Sequence, residues 1–254
     1  ILRIVNLTKS GIEHEFQAFE QGFQITHLQV IRDTFLVAVG EHIGRPSLIR
    51  IYKLEKLPSS EGSYHTQVEV KNGNNSYPIS VMSVSQDLSC IVIGFVNGRI
   101  LLIRGDLSRD RGSRQRLIYE DSGREPITSL FLNKDATICF AATTSMILCF
   151  NTTGRNSGQP DIVLDSQQGV NLNCSYYSEY TQEYICITKD CLHFYSNTEE
   201  KRSLIVELSN LKRLYPIDGD RLLLVMEAEN GQSSIFDTEE FSQSKANRVV
   251  VLDI

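Results

Sequence analysis

The residues best suited to binding chemistry lie in one arginine-rich segment, residues 104–116. Five arginines stand there against two aspartates, in a protein whose formal net charge is −6. Guanidinium groups form paired hydrogen bonds with carboxylates and phosphates. The segment therefore predicts a contact for an acidic partner surface or for anionic lipid headgroups; the alternative is a solvated, mobile connection between strands. The candidate contact residues are Arg104, Arg109, Arg111, Arg114 and Arg116.

Catalytic chemistry has no recognisable motif in the sequence. The glycine-rich phosphate-binding patterns, the zinc-protease pattern H-E-x-x-H and the nucleophile pattern G-x-S-x-G are all absent. The five histidines stand apart from one another, and His193, within an apolar run, is expected to be structural. We therefore expect no enzyme, no metal site and no cofactor. A pair of distant carboxylates is the alternative that the sequence leaves open.

The six cysteines are typical of a reducing compartment. No two of them form a C-x-x-C pair, and most lie in apolar runs. A free thiol in such a run packs like a small apolar side chain, so we expect buried, reduced cysteines in a cytosolic protein. The acidic net charge argues against nucleic acid as a partner. No apolar run approaches the roughly 20 residues of a membrane-spanning helix, and the first ten residues lack the apolar core of a signal peptide.

The strands that must position these side chains follow a repeat. Each repeat has a first strand in which apolar and polar residues alternate, a second that is nearly all apolar, and a third that is apolar. In the second repeat Asn97-Gly98 indicates a hairpin, because both residues tolerate positive φ. Corresponding central strands lie about 40–54 residues apart, which is the spacing of propeller blades. The repeats are centred near residues 25–52, 79–103, 127–150, 171–195 and 211–236.

This repeat predicts an all-β fold of the β-propeller class. The propeller is WD40-like but lacks the Trp-Asp signature, since the chain has no tryptophan. We expect residues 1–254 to form a single domain with about five complete blades of a six- or seven-bladed ring. Residues 1–5 resemble the third strand of a preceding blade and residues 247–252 a strand of a following one. Both ends are therefore expected to be cut from a longer protein.

Two segments combine helical spacing with a strand setting. Their apolar residues recur at i, i+4 and i+7, which is also the pattern of one helix face. Flanking strands favour an outer blade strand in both places. The residues are Ile12, Phe16, Phe19, Leu204, Leu208 and Leu211.

Several stretches resemble the N-terminal region of the vacuolar protein sorting-associated protein eleven family, in its fungal form. The resemblance extends from Ile12 to Cys174, and beyond Ser175 only the strand pattern supports it. These stretches are particular to the family and are not a short motif shared by unrelated proteins. They are Pro46–Pro58, Asp87–Gly98, Arg104–Asp121, Glu125–Thr128 and Asp135–Arg155.

The resemblance implies a function. Intact members of that family carry this propeller, then a long α-solenoid and a C-terminal RING zinc domain, and they form the shared core of the HOPS and CORVET membrane tethers. The chain would thus be a protein-interaction platform in vesicle docking and fusion, cytoplasmic and peripheral on vacuole and late endosome membranes. Implied partners are the other HOPS and CORVET subunits, Rab GTPases or SNAREs reached through the complex, and a weak contact with anionic membrane. Alternatives are a related coat or nuclear-pore scaffold and, less favoured, a propeller hydrolase.

Overall fold

The part of the chain that the computed structural model describes is almost entirely β-structure. Two short 3-10 helices, Leu54–Lys56 and Leu107–Arg109, are its helical elements. Internal contacts divide the chain into two compact units, residues 1–124 and 125–254. The described residues are 1–6, 8, 11–57, 63–72, 77–154, 158–188, 191–197, 201–205, 211–218, 221–227 and 247–253.

The first unit has ten strands among its described residues. Strands β1 (Leu2–Asn6) and β2 (Gly11–Phe16) form a two-stranded antiparallel sheet. The other eight form two four-stranded antiparallel sheets, each with its strands in chain order. They are β3 (Gln24–Ile31), β4 (Phe35–Glu41), β5 (Leu48–Lys53), β6 (Thr66–Glu69), β7 (Ile79–Val84), β8 (Cys90–Phe95), β9 (Arg99–Gly105) and β10 (Ser113–Glu120).

Apolar side chains join the two four-stranded sheets of this unit. Every residue of β8 is buried, and β4 is buried along most of its length. Strands covered on both faces read as continuous apolar runs, which is the pattern seen in both. Burial of each large aliphatic side chain contributes about 1.5–3 kcal/mol. Fully buried members of the shared cluster are Ile31, Val37, Val39, Ile49, Ile51, Ile91, Ile93, Ile103 and Leu107.

The second unit has eleven strands among its described residues. They form two four-stranded antiparallel sheets and one three-stranded sheet, again in chain order. The strands are β11 (Ser129–Leu132), β12 (Ile138–Ala142), β13 (Ile147–Asn151), β14 (Ile162–Asp165), β15 (Ser175–Ser178), β16 (Glu183–Thr188), β17 (Cys191–Tyr195), β18 (Lys201–Ile205), β19 (Leu211–Asp218), β20 (Arg221–Glu227) and β21 (Asn247–Asp253).

Aromatic rings join the two four-stranded sheets of the second unit. The ring of Phe140 stacks on Tyr177 and on Tyr184, with centroids 5.4 and 5.7 Å away. The hydroxyl of Tyr184 is buried and donates to Ser129 Oγ at 3.0 Å. Ser175 donates to the same oxygen at 2.7 Å. Burial raises the pKa of Tyr184, so this hydroxyl stays neutral and serves as a fixed donor between the sheets.

The turns between first and second strands share one design in two sheets. Asp87 accepts a hydrogen bond from the backbone N–H of Ser89 at 3.0 Å, and Asn133 accepts one from a backbone N–H four residues on at 2.8 Å. Leu88 and Ala136 follow with φ of +58° and +52°. Short polar side chains that bind the local backbone are a common way to close such turns.

The predicted strand repeat is confirmed for the first three repeats. Each contains its three expected strands in antiparallel order. The strand interpretation is also confirmed for Ile12 and Phe16, which lie in β2, and for Leu204 in β18. Phe19 follows β2 and Leu211 begins β19, while Leu208 lies outside the described residues.

Other predictions of the repeat are wrong or incomplete. The first strand of the fourth repeat was expected at 171–174 and lies at 175–178. The prediction that residues 247–252 belong to a following blade is wrong, because β21 pairs with β20 and so belongs to the β19–β21 sheet. Residues 233–236, expected as its third strand, lie outside the described residues. The fourth strands β6, β10 and β14 were not predicted, whereas β18 contains Leu204, for which an outer strand was predicted. The single domain and the ring of six or seven blades stay predictions.

Candidate partner-contact surface

A tight, ordered turn connects β9 to β10 within the arginine-rich segment. At its base the chain passes so close to itself that a Cβ on Gly105 would lie 2.1 Å from the carbonyl oxygen of Gly112. Only glycine fits at position 105 for this reason. Gly112 has φ of +84° and Asp110 has φ of +52°, and these left-handed residues reverse the chain direction after the short helix.

The turn is held against the β3–β6 sheet. Leu107 is completely buried in the apolar cluster of the first unit. Thr66 Oγ1 donates to the carbonyl oxygen of Leu107 at 2.9 Å, and His65 Nε2 donates to that of Ser108 at 2.8 Å. These three contacts hold the turn in place. A turn held in this way differs from the solvated, mobile connection that the sequence left open as an alternative.

Three of the five candidate arginines lie on strands and not in a connection. Arg104 is in β9, and Arg114 and Arg116 are in β10. The prediction that the whole segment is a loop after the third strand is wrong for these residues. The high charge of residues 113–116 hides the strand, because an edge strand needs little apolar content to pair with its neighbour.

The strand arginines share one face of the sheet. Arg114 is directly opposite Arg104 in the β9–β10 register, and Arg116 follows two residues later on the same face. Arg104 is in turn opposite Cys90. Burial raises the pKa of the Cys90 thiol to about 11, and the charges of Arg104 and Arg116 act in the opposite direction. Both guanidinium groups therefore lie near this thiol.

The turn arginines are only weakly neutralised. Arg109 Nη1 lies 3.6 Å and Arg111 Nε 3.9 Å from Asp106 Oδ2, and the two arginine side chains are 68% and 69% exposed. Exposed ion pairs of this length contribute about 0–1 kcal/mol. Arg114 is exposed as well. Three guanidinium groups are thus accessible at one end of β10, and we call β10 with the five candidate arginines the basic edge.

The opposite face of β10 is tied to the neighbouring sheet. Gln115 accepts a hydrogen bond from the backbone N–H of Lys71 at 2.9 Å and donates to the carbonyl oxygen of Glu69 at 2.6 Å. At the far end, Arg99 Nε and Nη2 donate to Glu120 Oε1 at 3.0 and 2.8 Å. These contacts fix the orientation of β10 and neutralise the one carboxylate on it.

Sequence reasoning missed a further arginine, Arg50, in the middle of β5. Its side chain is 4% exposed and donates to Gln67, to the carbonyl oxygen of Ala18 and to Glu20. Its guanidinium carbon lies 5.0 Å from the ring centroid of Phe19 and 4.6 Å from that of Tyr64. Because its three nitrogens are used within the first unit, Arg50 is a structural residue. The sequence feature that could have revealed it is a single charged residue in the middle of an otherwise apolar run.

Metal-binding clusters and membrane-spanning helices are both absent from the described part of the chain. No group of three or more histidine, cysteine or acidic residues lies there in an arrangement that could hold a metal ion. No helix in the same residues is long and apolar enough to cross a membrane.

Comparison with known proteins identifies the family. The family described as PEP5/VPS11 N-terminal matches residues 2–254. The chain belongs to the PEP5/VPS11 N-terminal family. The vacuolar protein sorting-associated protein 11 homologs of Mus musculus and Homo sapiens are each 28% identical over 190 residues, which is 72% of this chain and 19% of theirs. The Dictyostelium discoideum homolog is 27% identical over 163 residues. The chain thus spans about a fifth of the length of the first two relatives.

Solved structures confirm the β-propeller fold of this family member. A chain from the crystal structure of the mitotic checkpoint complex superimposes with a TM-score of 0.60 at 10% identity, over 88% of this chain and 63% of that one. The β-propeller domain of Cps50 (Swd1) from Myceliophteria thermophila gives 0.60 at 11% identity, over 88% and 73%. At such low identity the likeness concerns the fold alone.

Proposed function

We propose that this chain is a protein-interaction platform of a membrane-tethering complex that acts in vesicle docking and fusion at the late endosome and vacuole. Membership of the PEP5/VPS11 N-terminal family over residues 2–254 carries the proposal. The names of the mouse and human relatives assign those proteins to vacuolar protein sorting. The match covers 19% of their length, so the chain supplies one part of such a protein.

Binding, and not catalysis, is the role that the surface chemistry supports. The functional groups gathered at the basic edge are guanidinium groups, which stay protonated at physiological pH and so do not act as general acids or bases. They do form strong, directional hydrogen bonds with carboxylates and phosphates. A rigid sheet that presents such groups is suited to holding a partner.

The proposed partners are the other subunits of the HOPS and CORVET complexes, with Rab GTPases or SNAREs reached through the complex. The proposed location is cytoplasmic, peripheral on vacuole and late endosome membranes. Nucleic acid is not a proposed partner, because the formal net charge of −6 opposes binding to a phosphate backbone.

The experiment compares the tagged full-length protein with a version that lacks residues 1–254, each expressed in cells without the native copy. The full-length protein should co-purify tethering-complex subunits and restore delivery of a vacuolar hydrolase. The deletion should lose at least one partner or missort the hydrolase. Unchanged recovery and sorting at equal expression would overturn the proposal.

The same purification separates the alternatives. Recovery of coat or nuclear-pore scaffold subunits in place of tethering subunits would favour a related scaffold. Hydrolysis of a glycan by the purified protein, abolished when a carboxylate pair is replaced, would make the chain a hydrolase and contradict the platform proposal.

A further inference from the structure

We infer that the basic edge binds an acidic segment of a partner protein, held in extended conformation along β10. This inference rests on the proposed function as an interaction platform and names the chemistry of one partner. The recognition mode is addition of a strand to a sheet edge, in which backbone hydrogen bonds give affinity and alternate side chains give specificity.

The backbone of β10 offers the necessary edge. Within the described residues β10 is the terminal strand of its four-stranded sheet, and β9 is its strand partner. The regular register runs from Ser113 to Leu117, where a bulge interrupts it. Backbone groups on the outer side of a terminal strand have no ladder partner. Alternate residues of this stretch therefore direct their backbone N–H and C=O groups to the side where a short incoming strand would pair.

The side chains match an acidic strand in spacing. Arg114 and Arg116 are two residues apart, which places them about 6.6–6.8 Å apart along the strand. Carboxylates at alternate positions of an extended peptide have the same separation and project to one face. Leu117 is 42% exposed on the other face of β10. There it would lie beside the apolar residues that stand between the carboxylates of such a peptide.

The charged side chains at the two ends of β10 leave the strand with net positive charge. At its start the turn adds Arg109 and Arg111, each more than two thirds exposed. At its end Glu120 is neutralised by Arg99. Residues 104–116 carry five positive and two negative charges. An incoming acidic segment thus meets net positive charge along the regular part of the strand.

A membrane surface fits this edge less well. Insertion into a bilayer interface needs an exposed apolar face beside the basic side chains. Leu107 in the turn and Ile118 and Tyr119 on β10 are buried, and Leu117 is 42% exposed. Asp106 and Asp110 lie in the same turn, where their negative charges would oppose anionic headgroups. These features favour an acidic polypeptide over a lipid surface.

The test uses the full-length protein and a fluorescent, acetylated octapeptide of alternating glutamate and valine. Binding measured by fluorescence anisotropy should weaken about tenfold or more in R111E/R114E, since the variant loses charge-assisted hydrogen bonds and its glutamates repel the acidic peptide. R32E/R124E is the matched control, because it makes the same charge change at two exposed arginines elsewhere in the first unit. Its affinity should stay within about twofold, since neither arginine lies on β10 or in the turn before it. Thermal melting should show that both variants are folded.

A second peptide isolates the backbone contribution. N-methylation of alternate amides keeps every carboxylate but removes the hydrogen-bond donors of one strand edge, so binding should be lost. Equal binding of the methylated peptide would overturn strand addition. Equal weakening in both arginine variants would overturn the assignment to β10, as would binding to phosphatidylserine vesicles without binding to the peptide.

The outcomes also separate this inference from the proposed function. If the peptide fails to bind while deletion of residues 1–254 disrupts hydrolase sorting, the platform proposal stands and the assignment to the basic edge falls. If the peptide binds as expected while the deletion leaves sorting unchanged, the tethering role falls.

Discussion

At the scale of single residues, the cysteines show how burial controls reactivity. Five of the six are buried and Cys191 is partly exposed. Burial raises the pKa of Cys90 to about 11 and that of Cys149 to about 12. Because the thiolate is the reactive form, buried thiols with such values react slowly at neutral pH. The expected burial is confirmed for five cysteines, while Cys191, at the start of β17, is only partly buried. The reduced state stays a prediction.

Titration of a folded fragment of residues 1–254 with Ellman's reagent at pH 8 should therefore show one thiol that reacts fast. The other five should react only after unfolding in guanidinium chloride. Cys191→Ser should remove the fast phase, and Cys149→Ser should leave it intact. A fast phase that persists in Cys191→Ser would contradict the assignment.

The Arg50–Glu20 pair gives a second expectation, about pH. The hydrogen bond from Arg50 holds the pKa of Glu20 below its ordinary value of 4.5. A carboxyl group with a lowered folded-state pKa stabilises the fold above its unfolded pKa, and this stabilisation is lost as pH falls through the folded value. In Glu20→Gln the free energy of unfolding should fall less steeply below pH 4.5 than in the native protein.

Urea unfolding at a series of pH values between neutral and acid measures this difference. Glu55→Gln is the control, as an acidic residue of the same unit in a different setting. Because Glu20 is 51% exposed, the effect should be small. Parallel curves for the native protein and Glu20→Gln would show that the pair contributes nothing to acid stability.

At the scale of elements, the β3–β4 hairpin contains a conflict between sequence and backbone. Its turn residues Arg32 and Asp33 have φ of +49° and +52°, and the N–H of Thr34 donates to the carbonyl of Ile31. Two left-handed residues define a turn that favours Asn-Gly. Arg32→Asn with Asp33→Gly should raise the free energy of unfolding by about 1 kcal/mol.

Both turn side chains are exposed, so the effect should come from the backbone alone. Gln24→Gly, on an exposed strand position, is the matched control and should lower stability by about 0.5–1 kcal/mol. A melting temperature that falls in the turn variant would contradict this account of the hairpin.

Packing between elements is close where β4 meets the segment before β3. A Cβ on Gly40 would lie 2.6 Å from the ring of Phe19, which itself lies against the Arg50 guanidinium. Gly40→Ala should therefore displace Phe19 and destabilise the protein by about 1–3 kcal/mol. Gly154→Ala is the control, since its nearest neighbour is 3.8 Å away. Urea midpoints that move equally in both variants would show that crowding at Phe19 is not the cause.

Strand pattern predicted the inner elements well and the outer ones poorly, for a physical reason. Central strands such as β8 are buried on both faces, so their apolar runs are clear. The fourth strand of each four-stranded sheet has a single strand neighbour and is short or polar. In β6 buried and exposed residues alternate over only four positions, and β10 is rich in arginine. Arg50 was missed because its hydrogen-bond partners Gln67, Glu20 and Ala18 lie 17, 30 and 32 residues away in the chain.

At the scale of the whole molecule, cooperativity tests the prediction of a single domain. The chain has two compact units, and a single domain unfolds in one transition that any destabilising change shifts as a whole. Gly40→Ala in the first unit and Gly169→Ala in the second should both lower the same melting transition. Gly169 is suitable because a Cβ there would lie 1.8 Å from the backbone of Thr144.

Differential scanning calorimetry of the full-length protein makes this measurement, with Gly154→Ala as the neutral control in the second unit. Two transitions, each shifted by the variant in only one unit, would show that the units are separate domains. The fold class was predictable from the strand repeat, but the ring size was not, because it depends on how many repeats the intact protein contains.

The arginines of β10 also matter while the protein is being synthesised. The first unit ends at Arg124, four residues after β10 ends at Glu120, so this edge is complete before the ribosome has translated the second half. Neighbouring ribosomes on one messenger RNA hold identical nascent chains close together, and open strand edges on such chains are prone to pair. Like charges on each copy of β10 repel one another, which keeps half-made chains from joining through this edge before translation is finished.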